Sequence, residues 1–198
     1  EGRRFLKKFR TKVPPNQIPI AVFSKKKQED LSFYFEPIEE GENLGYVVDA
    51  GMPCLADPGY QLVAYARKKN INVEAIIGPS SIVLSLMLSG LNSQSFNFHG
   101  YLPQNAPRLI ERLSELQEES YVRGVTQIFI EAPYRNEALW KVLLENLDPK
   151  TQLSVAVDLM MPTQEVYTKT VQNWNETPPI NLRKRPAVFL FRSHENNY

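Results

Sequence analysis

Three loops carry residue types that could bind a small ligand, and each follows a segment predicted to be a strand. Small residues let backbone groups approach a flat ligand closely, and free helix N-terminal amides attract a carboxylate or phosphate. In open α/β sheets, ligands bind outside the carboxyl ends of the strands. The loops are Asp49-Ala50-Gly51-Met52-Pro53, Gly78-Pro79-Ser80-Ser81 and Glu131-Ala132-Pro133-Tyr134-Arg135. Each loop alone is also typical of an ordinary α/β turn.

Other kinds of site are disfavoured by what the sequence contains. It has no GxGxxG motif, no P-loop and no His or Cys cluster with metal-ligand spacing, so no metal is expected. Cys54 has no neighbouring His and is interpreted as a packing residue. His99 fits a structural or a pocket-lining role equally, and Met160-Met161 fits core or hinge packing.

Composition narrows the class of protein. The chain has 198 residues with 42% hydrophobic residues, as expected of a packed globular protein. The formal net charge of +1 indicates no strong field for nucleic acid. A single cysteine favours a reducing, cytoplasmic setting. We expect no membrane span and no signal peptide, and because the chain begins with Glu1 we expect residues upstream.

Hydrophobic patterning predicts alternating strands and helices, and hence an α/β fold with parallel strands. We expect an N-terminal parallel-sheet domain at 1–95, with its first strand missing, and a C-terminal mixed-sheet domain at 96–198. A helix is expected to end near Phe9. The predicted strands are 18–23, 44–49, 73–77, 95–100, 127–130, 153–159, 165–171 and 187–191, with 153–159 and 165–171 antiparallel. The other predicted helices are 31–40 (interrupted near Pro37), one beginning at Asp57-Pro58, 82–89, 107–119 and 135–147.

The segment Tyr46-Val47-Val48-Asp49-Ala50-Gly51-Met52-Pro53-Cys54-Leu55-Ala56-Asp57-Pro58-Gly59 resembles a V-S-D-A-G-T-P-x-I-S-D-P-G motif. That motif belongs to a branch of the tetrapyrrole methylase superfamily that methylates a ribose 2′-hydroxyl of small-subunit ribosomal RNA. Three further segments resemble its P-G-P-S-A, G-F-L-P and E-S-P-H-R motifs in the same order. They are Ile77–Ser81, Gly100–Pro103 and Glu131–Arg135. Glu1–Leu6 resembles an E-D-T-R stretch imperfectly.

The resemblance implies an S-adenosylmethionine-dependent methyltransferase with a cofactor cleft between two α/β domains, commonly a homodimer. The cofactor-binding residues that it implies are Asp49, Ala50, Gly51, Met52, Pro53, Gly78, Pro79, Ser80, Tyr101, Leu102, Glu131 and Pro133. A sugar hydroxyl is a weak nucleophile that benefits from a base, for which Asp49, Glu131 and Asp158 are candidates. Each carboxylate could instead cap a helix or pair with Arg135 or a lysine.

Departures from the branch leave the methyl acceptor open between RNA and a tetrapyrrole. Val157–Pro162 replaces R-E-L-T-K and loses both basic residues, and Tyr134 stands where His is usual. The basic runs Lys25-Lys26-Lys27 and Arg183-Lys184-Arg185, like the basic residues near the N-terminus, could contact phosphates but are also typical of solvated surface. The alternatives are methylation of a corrin or porphyrin precursor, and a non-catalytic S-adenosylmethionine- or RNA-binding relative.

Overall fold

The structure, a computed structural model, describes residues 6–8, 13–23 and 30–193. The chain divides into two compact units, an N-terminal unit (Glu1–Pro79) and a C-terminal unit (Ser80–Tyr198). The predicted helix end near Phe9 lies mostly outside the described residues, as do Lys25-Lys26-Lys27. Within the described residues, no helix has the length and hydropathy needed to span a lipid bilayer.

Two helices organise the N-terminal unit: α1 (Ser32–Glu39) and α2 (Tyr60–Lys68). Phe35 of α1 and Leu62 and Ala66 of α2 are buried together. Eight partly buried side chains pack against them: Phe23, Leu31, Tyr34, Ile38, Tyr46, Tyr65, Ile71 and Val73. The hydrophobic face of each helix is buried in this small apolar cluster, which stabilises the unit. The predicted interruption of α1 at Pro37 is wrong, because the helix continues to Glu39.

The three strands predicted in the N-terminal unit, 18–23, 44–49 and 73–77, are wrong for this structure. None of the described residues of this unit belongs to a β-strand, so the predicted N-terminal parallel sheet is not seen. A strand needs neighbours that satisfy its backbone N–H and C=O groups, and the described residues before 80 provide none. Ile76 and Ile77 consequently remain 93% and 89% exposed. A short apolar run is compatible with a strand, but it does not create the pairing that makes one.

The C-terminal unit contains a five-stranded mixed sheet in the order β1-β2-β5-β3-β4. β1 pairs parallel with β2, and β5 lies antiparallel to both β2 and β3, so β1, β2 and β3 run in one direction. The antiparallel pairing of β3 with β4 that we predicted is confirmed. The strands are β1 (Phe96–Tyr101), β2 (Thr126–Ile130), β3 (Gln152–Val157), β4 (Glu165–Thr170) and β5 (Ala187–Arg192).

Helices cover both faces of this sheet. They are α3 (Ser81–Ser89), α4 (Ala106–Arg123), α5 (Asn136–Asn146) and α6 (Val171–Asn175). Successive strand residues point to opposite faces, so Phe129 joins the large cluster with α4, α5 and α6, whereas Ile128 joins the smaller cluster with α3. Each large apolar side chain buried in this way contributes about 1.5–3 kcal/mol. The α/β fold class predicted from the sequence is confirmed.

The ends of α4 follow local rules. The Asn105 side-chain oxygen accepts a hydrogen bond from the Arg108 backbone N–H at 3.2 Å, a typical N-cap. Gly124, with φ of 63°, ends the helix in the left-handed conformation. The domain boundary predicted after residue 95 stays a prediction, whereas the compact units divide between Pro79 and Ser80.

Candidate functional site

Asp57 organises the loop that carries the first predicted ligand segment. Its Oδ1 accepts hydrogen bonds from the Tyr46 hydroxyl at 2.7 Å, the Gly59 N–H at 2.9 Å and the Cys54 N–H at 3.2 Å. Asp57 was predicted to be the N-cap of α2, but Gly59 occupies that position. Asp57 therefore stabilises the turn before the helix, because its carboxylate satisfies backbone N–H groups that the helix leaves free.

Gly59 allows the Tyr46 ring to lie against this turn. A Cβ placed on Gly59 would overlap Cε1 of Tyr46 and would lie 2.8 Å from Asp57 Oδ1. Only glycine leaves room for both groups. Burial, assisted by the hydrogen bond to Asp57, raises the pKa of Tyr46, so its hydroxyl remains a donor to the carboxylate.

The segment 49–53 lies on the surface of the N-terminal unit. Asp49, Ala50, Gly51 and Pro53 are exposed and Met52 is half-buried, so their backbone groups can meet a ligand. Burial, with the nearby Asp57 charge, raises the pKa of the Cys54 thiol. A raised pKa lowers the thiolate fraction, which agrees with a packing role and not with a nucleophile.

The second predicted segment lies where the N-terminal unit ends and α3 begins. Gly78 and Pro79 are exposed, whereas Ser80 is buried and is the N-cap of α3. The Ser80 side chain makes no capping hydrogen bond. Sequence reasoning placed these residues correctly at a helix N-terminus.

In the C-terminal unit, the remaining predicted residues lie at one edge of the sheet. Because β1, β2 and β3 run in one direction, the segments after Tyr101, Ile130 and Val157 leave the sheet at the same edge, here called the carboxyl edge. The turn 181–186, which leads into β5, joins them there. Tyr101 is 65% exposed at this edge, whereas the Leu102 side chain is buried in the core and can offer only its backbone.

Gly100 lies at an irregularity near the end of β1. Its φ of 65° lies in the left-handed region, and the register with β2 shifts between Phe98 and Tyr101. A residue with a side chain adopts this conformation rarely, whereas glycine does so without strain. The irregularity returns Tyr101 to pairing with Ile130 at the carboxyl edge.

Glu131 is buried and is held by its own loop. Oε1 accepts a hydrogen bond from the Ala132 N–H at 2.7 Å, and Oε2 lies 3.3 Å from Nε of Arg135. The Glu131–Arg135 pairing is one of the alternatives left open by the sequence. Pro133 is exposed, and its carbonyl accepts a hydrogen bond from the Lys184 N–H at 3.2 Å.

Asp158 is engaged in an ion pair with Arg185. The Arg185 Nε lies 2.8 Å from Oδ2 of Asp158, and the Thr163 hydroxyl donates to the same oxygen at 2.8 Å. Burial works against ionisation of Asp158, but the hydrogen bonds from Arg185 and Thr163 and the guanidinium charge outweigh it and lower its pKa. A carboxylate with a lowered pKa is a weak base, so the geometry favours a structural role for Asp158.

Sequence reasoning misjudged Arg185, because it grouped this residue with Arg183 and Lys184 in one basic run. Its guanidinium also donates to the carbonyls of Asn181 at 3.0 Å and Thr163 at 2.8 Å. Its side chain is only 17% exposed, so it does not offer a free charge to a phosphate, whereas Arg183 and Lys184 are exposed.

Asn136 was also missed by sequence reasoning. It is the first residue of α5 and is fully buried, and its Nδ2 donates to the Arg185 carbonyl at 2.7 Å. Its Oδ1 is the one buried side-chain oxygen or nitrogen of the described residues that lacks a hydrogen-bond partner. Such an orphaned acceptor at the carboxyl edge can take a donor from a bound molecule or water.

His99 belongs to a side-chain network beside the sheet. Its Nε2 lies 2.6 Å from Oε1 of the buried Gln127, whose amide nitrogen donates to Glu119 at 3.0 Å. Because Oε1 of Gln127 can only accept, this contact places a proton on Nε2 of His99. Of the two roles considered, the structure supports the structural one. Among the described residues, no group of three or more His, Cys, Asp or Glu side chains could hold a metal ion.

Comparison with known proteins identifies relatives over most of the chain. The chain is 29% identical over 164 residues to "Ribosomal RNA small subunit methyltransferase I" of Vibrio cholerae, which covers 79% of this chain and 56% of that protein. The protein of the same name from Xylella fastidiosa is 42% identical over 95 residues, covering 48% of this chain and 33% of its own. The chain thus spans about half the length of the curated relatives it matches.

Two solved structures share the fold. Cobalt precorrin-4 methyltransferase CbiF matches with a TM-score of 0.53 and 12% identity, over 82% of this chain and 69% of that one. The methyltransferase CobJ matches with a TM-score of 0.52 and 14% identity, over 84% and 72%. The profile of the Tetrapyrrole (Corrin/Porphyrin) Methylases matches residues 3–174, which include the three loops predicted to bind a ligand. On the strength of that match, the chain belongs to the tetrapyrrole methylase family.

Proposed function

We propose that this chain forms part of an S-adenosylmethionine-dependent methyltransferase that acts on a ribose 2′-hydroxyl of small-subunit ribosomal RNA. The observation that carries the proposal is the similarity to proteins named ribosomal RNA small subunit methyltransferase I, which extends over 164 residues. The acceptor and the position of the methyl group are proposals, because the chain spans about half of those relatives.

The residues proposed to contact the cofactor are Asp49–Pro53, Gly78–Ser80, Tyr101, Leu102, Glu131 and Pro133. Their chemistry fits a ligand that carries an ammonium group, a carboxylate and a purine, since 49–53 and 78–79 offer backbone groups near the surface and Asp49 offers an exposed carboxylate. A Cβ added at Gly51 or Gly78 would meet nothing within 4 Å, so neither position is crowded. The unpaired Oδ1 of Asn136 adds an acceptor at the carboxyl edge.

The cofactor would supply a methyl group already activated on a sulfonium, so the protein mainly has to align donor and acceptor. Alignment of this kind can contribute up to roughly 7–11 kcal/mol. Among the candidate bases, Glu131 and Asp158 are each paired with an arginine, whereas Asp49 is exposed. We therefore propose Asp49 as the first base to test. The variant Asp49→Asn should lower kcat by about 10²-fold or more. This fold-change should be larger than any increase in the Kd for the donor.

The direct test is calorimetric titration of S-adenosylmethionine and its demethylated product, followed by transfer of labelled methyl groups to small ribosomal subunits. Both measurements should use this chain and, in parallel, the protein as produced in its own host. Binding at roughly micromolar Kd, about −8 kcal/mol, with repeated turnover on subunits would support the proposal. Donor binding with transfer only to a porphyrin precursor would replace the RNA acceptor. Absence of donor binding in both proteins would contradict the methyltransferase assignment.

We further propose a cytoplasmic homodimer. The single cysteine suits a reducing compartment, and the family resemblance supports two copies. Sedimentation equilibrium should report twice the mass of the chain, and a monomer at micromolar concentration would contradict the dimer. Fractionation of the host cell should recover the protein with the small ribosomal subunits.

A further inference from the structure

An exposed aromatic side chain and two exposed cations lie together at the carboxyl edge. Tyr134 is 75% exposed, and its neighbour Pro133 accepts the hydrogen bond from the Lys184 N–H. Asn136, two residues after Tyr134, donates to the Arg185 carbonyl at 2.7 Å. These two hydrogen bonds attach the turn 181–186 to the loop that carries Tyr134. Arg183 and Lys184 therefore belong to a turn that is hydrogen-bonded to the loop of Tyr134, and the three residues are here called the Tyr134 patch.

Several hydrogen bonds hold the turn 181–186, which carries the two exposed cations. Arg185, between the patch and β5, is bound to Asp158, Thr163 and Asn181 by the contacts described above. The Arg183 N–H donates a hydrogen bond to the Asn181 side-chain oxygen at 3.2 Å, and Lys184 has a left-handed φ of 57°. With Arg185 bound inwards, Arg183 and Lys184 are the members of the basic run that face solvent.

We propose that the Tyr134 patch binds a nucleotide of single-stranded RNA, with a base stacked on Tyr134 and the adjoining phosphate held by Arg183 and Lys184. This inference rests on the proposed function and deepens it, since it names where the acceptor RNA touches the chain. Aromatic rings recognise unstacked bases through their faces, and exposed cations neutralise the backbone phosphates.

The neighbouring exposed side chains favour RNA over a macrocycle. Tyr101 is the last residue of β1 and Met160 follows β3, so they flank the patch on either side along the edge, and both are more than 60% exposed. An open row of this kind suits an extended strand with successive bases. A macrocycle would need a concave site that buries most of its surface.

The test uses the full chain and a fluorescein-labelled ten-nucleotide single-stranded RNA, with binding followed by fluorescence anisotropy across a series of salt concentrations. Tyr134→Ala should weaken binding about tenfold, whereas Tyr134→Phe, which keeps the ring face, should stay within about twofold. The double variant Arg183→Gln/Lys184→Gln should reduce the salt slope of log K by about 0.7, the value for one lost phosphate contact on a single strand.

Matched controls lie at the opposite edge of the sheet. Tyr121, near the end of α4, and Lys150, before β3, are exposed there, so Tyr121→Ala and Lys150→Gln should bind like the unaltered chain. Equal RNA affinities for Tyr134→Ala and the unaltered chain would overturn the proposal, as would binding of a porphyrin in place of RNA. Donor titration on the same variants separates the two claims. Unchanged donor binding with lost RNA binding supports the patch, whereas RNA binding without donor binding would leave the patch standing and contradict the methyltransferase.

Discussion

Replacing Arg185 should destabilise the C-terminal unit, because it removes the partner of a buried carboxylate. In Arg185→Leu, the carboxylate of Asp158 keeps its burial, with 8% side-chain exposure, but loses its ion pair. The carbonyls of Asn181 and Thr163 lose their guanidinium donors as well. Removing one partner of a deeply buried pair costs roughly 3–5 kcal/mol. Because Arg185 retains 17% exposure, we expect a loss of about 2–3 kcal/mol at pH 7.

The measurement is urea unfolding followed by tryptophan fluorescence. Both tryptophans of the chain, Trp140 and Trp174, are buried in the core of the C-terminal unit with ring centroids 5.0 Å apart. The signal therefore reports the unit that contains the ion pair. Arg183→Leu is the matched control, since Arg183 is exposed two residues away, and its effect should stay within about 0.5 kcal/mol.

Acidification provides a second readout of the same prediction. The pKa of Asp158 is lowered from its ordinary value of 3.8, so its contribution to stability is present above that value and is lost as the pH falls through the folded-state pKa. The variant lacks this contribution, and its deficit relative to the unaltered chain should shrink below about pH 4. A deficit under about 1 kcal/mol at pH 7, or one that persists unchanged at low pH, would refute the reasoning.

Three further predictions concern the turn around Asp57. Gly59→Ala should destabilise the N-terminal unit by about 1–3 kcal/mol through overlap with the Tyr46 ring, as measured by far-ultraviolet circular dichroism on heating. Gly78→Ala, where an added Cβ meets nothing, is the control, and equal losses would contradict the steric argument. The pKa of Tyr46 is raised, so its hydroxyl should ionise at unusually high pH in an alkaline absorbance titration. Tyr46→Phe should remove that part of the titration curve, and an unchanged curve would count against the prediction. Cys54 should react slowly with iodoacetamide at pH 8 and faster in urea, because its pKa is raised in the folded chain. Equal rates in both conditions would show that the turn does not protect the thiol.

The strands of the C-terminal unit and its helices other than α6 could be predicted from the sequence because they are encoded locally. The spacing of Leu109, Leu113 and Leu116 indicates the buried face of α4, although the helix continues to Arg123, four residues beyond its predicted end at 119, and stops at Gly124. The apolar runs at 127–130 and 187–191 match β2 and β5 closely. The motif at Tyr46–Gly59 was sufficient to place the chain in its family, since a specific order of residues does not depend on packing.

Other features were decided by tertiary structure. Residues 44–49 and 73–77 have the composition of strands, but a strand exists only where another chain segment pairs with it, and composition does not specify that neighbour. Likewise, Arg183, Lys184 and Arg185 look equivalent in sequence, yet only Arg185 meets Asp158, which lies 27 positions away. The sequence by itself determined the family, the local elements and the residue types available for chemistry. The fold decided which of those charges are paired inside and which remain on the surface, because pairing depends on which distant segments the sheet brings together.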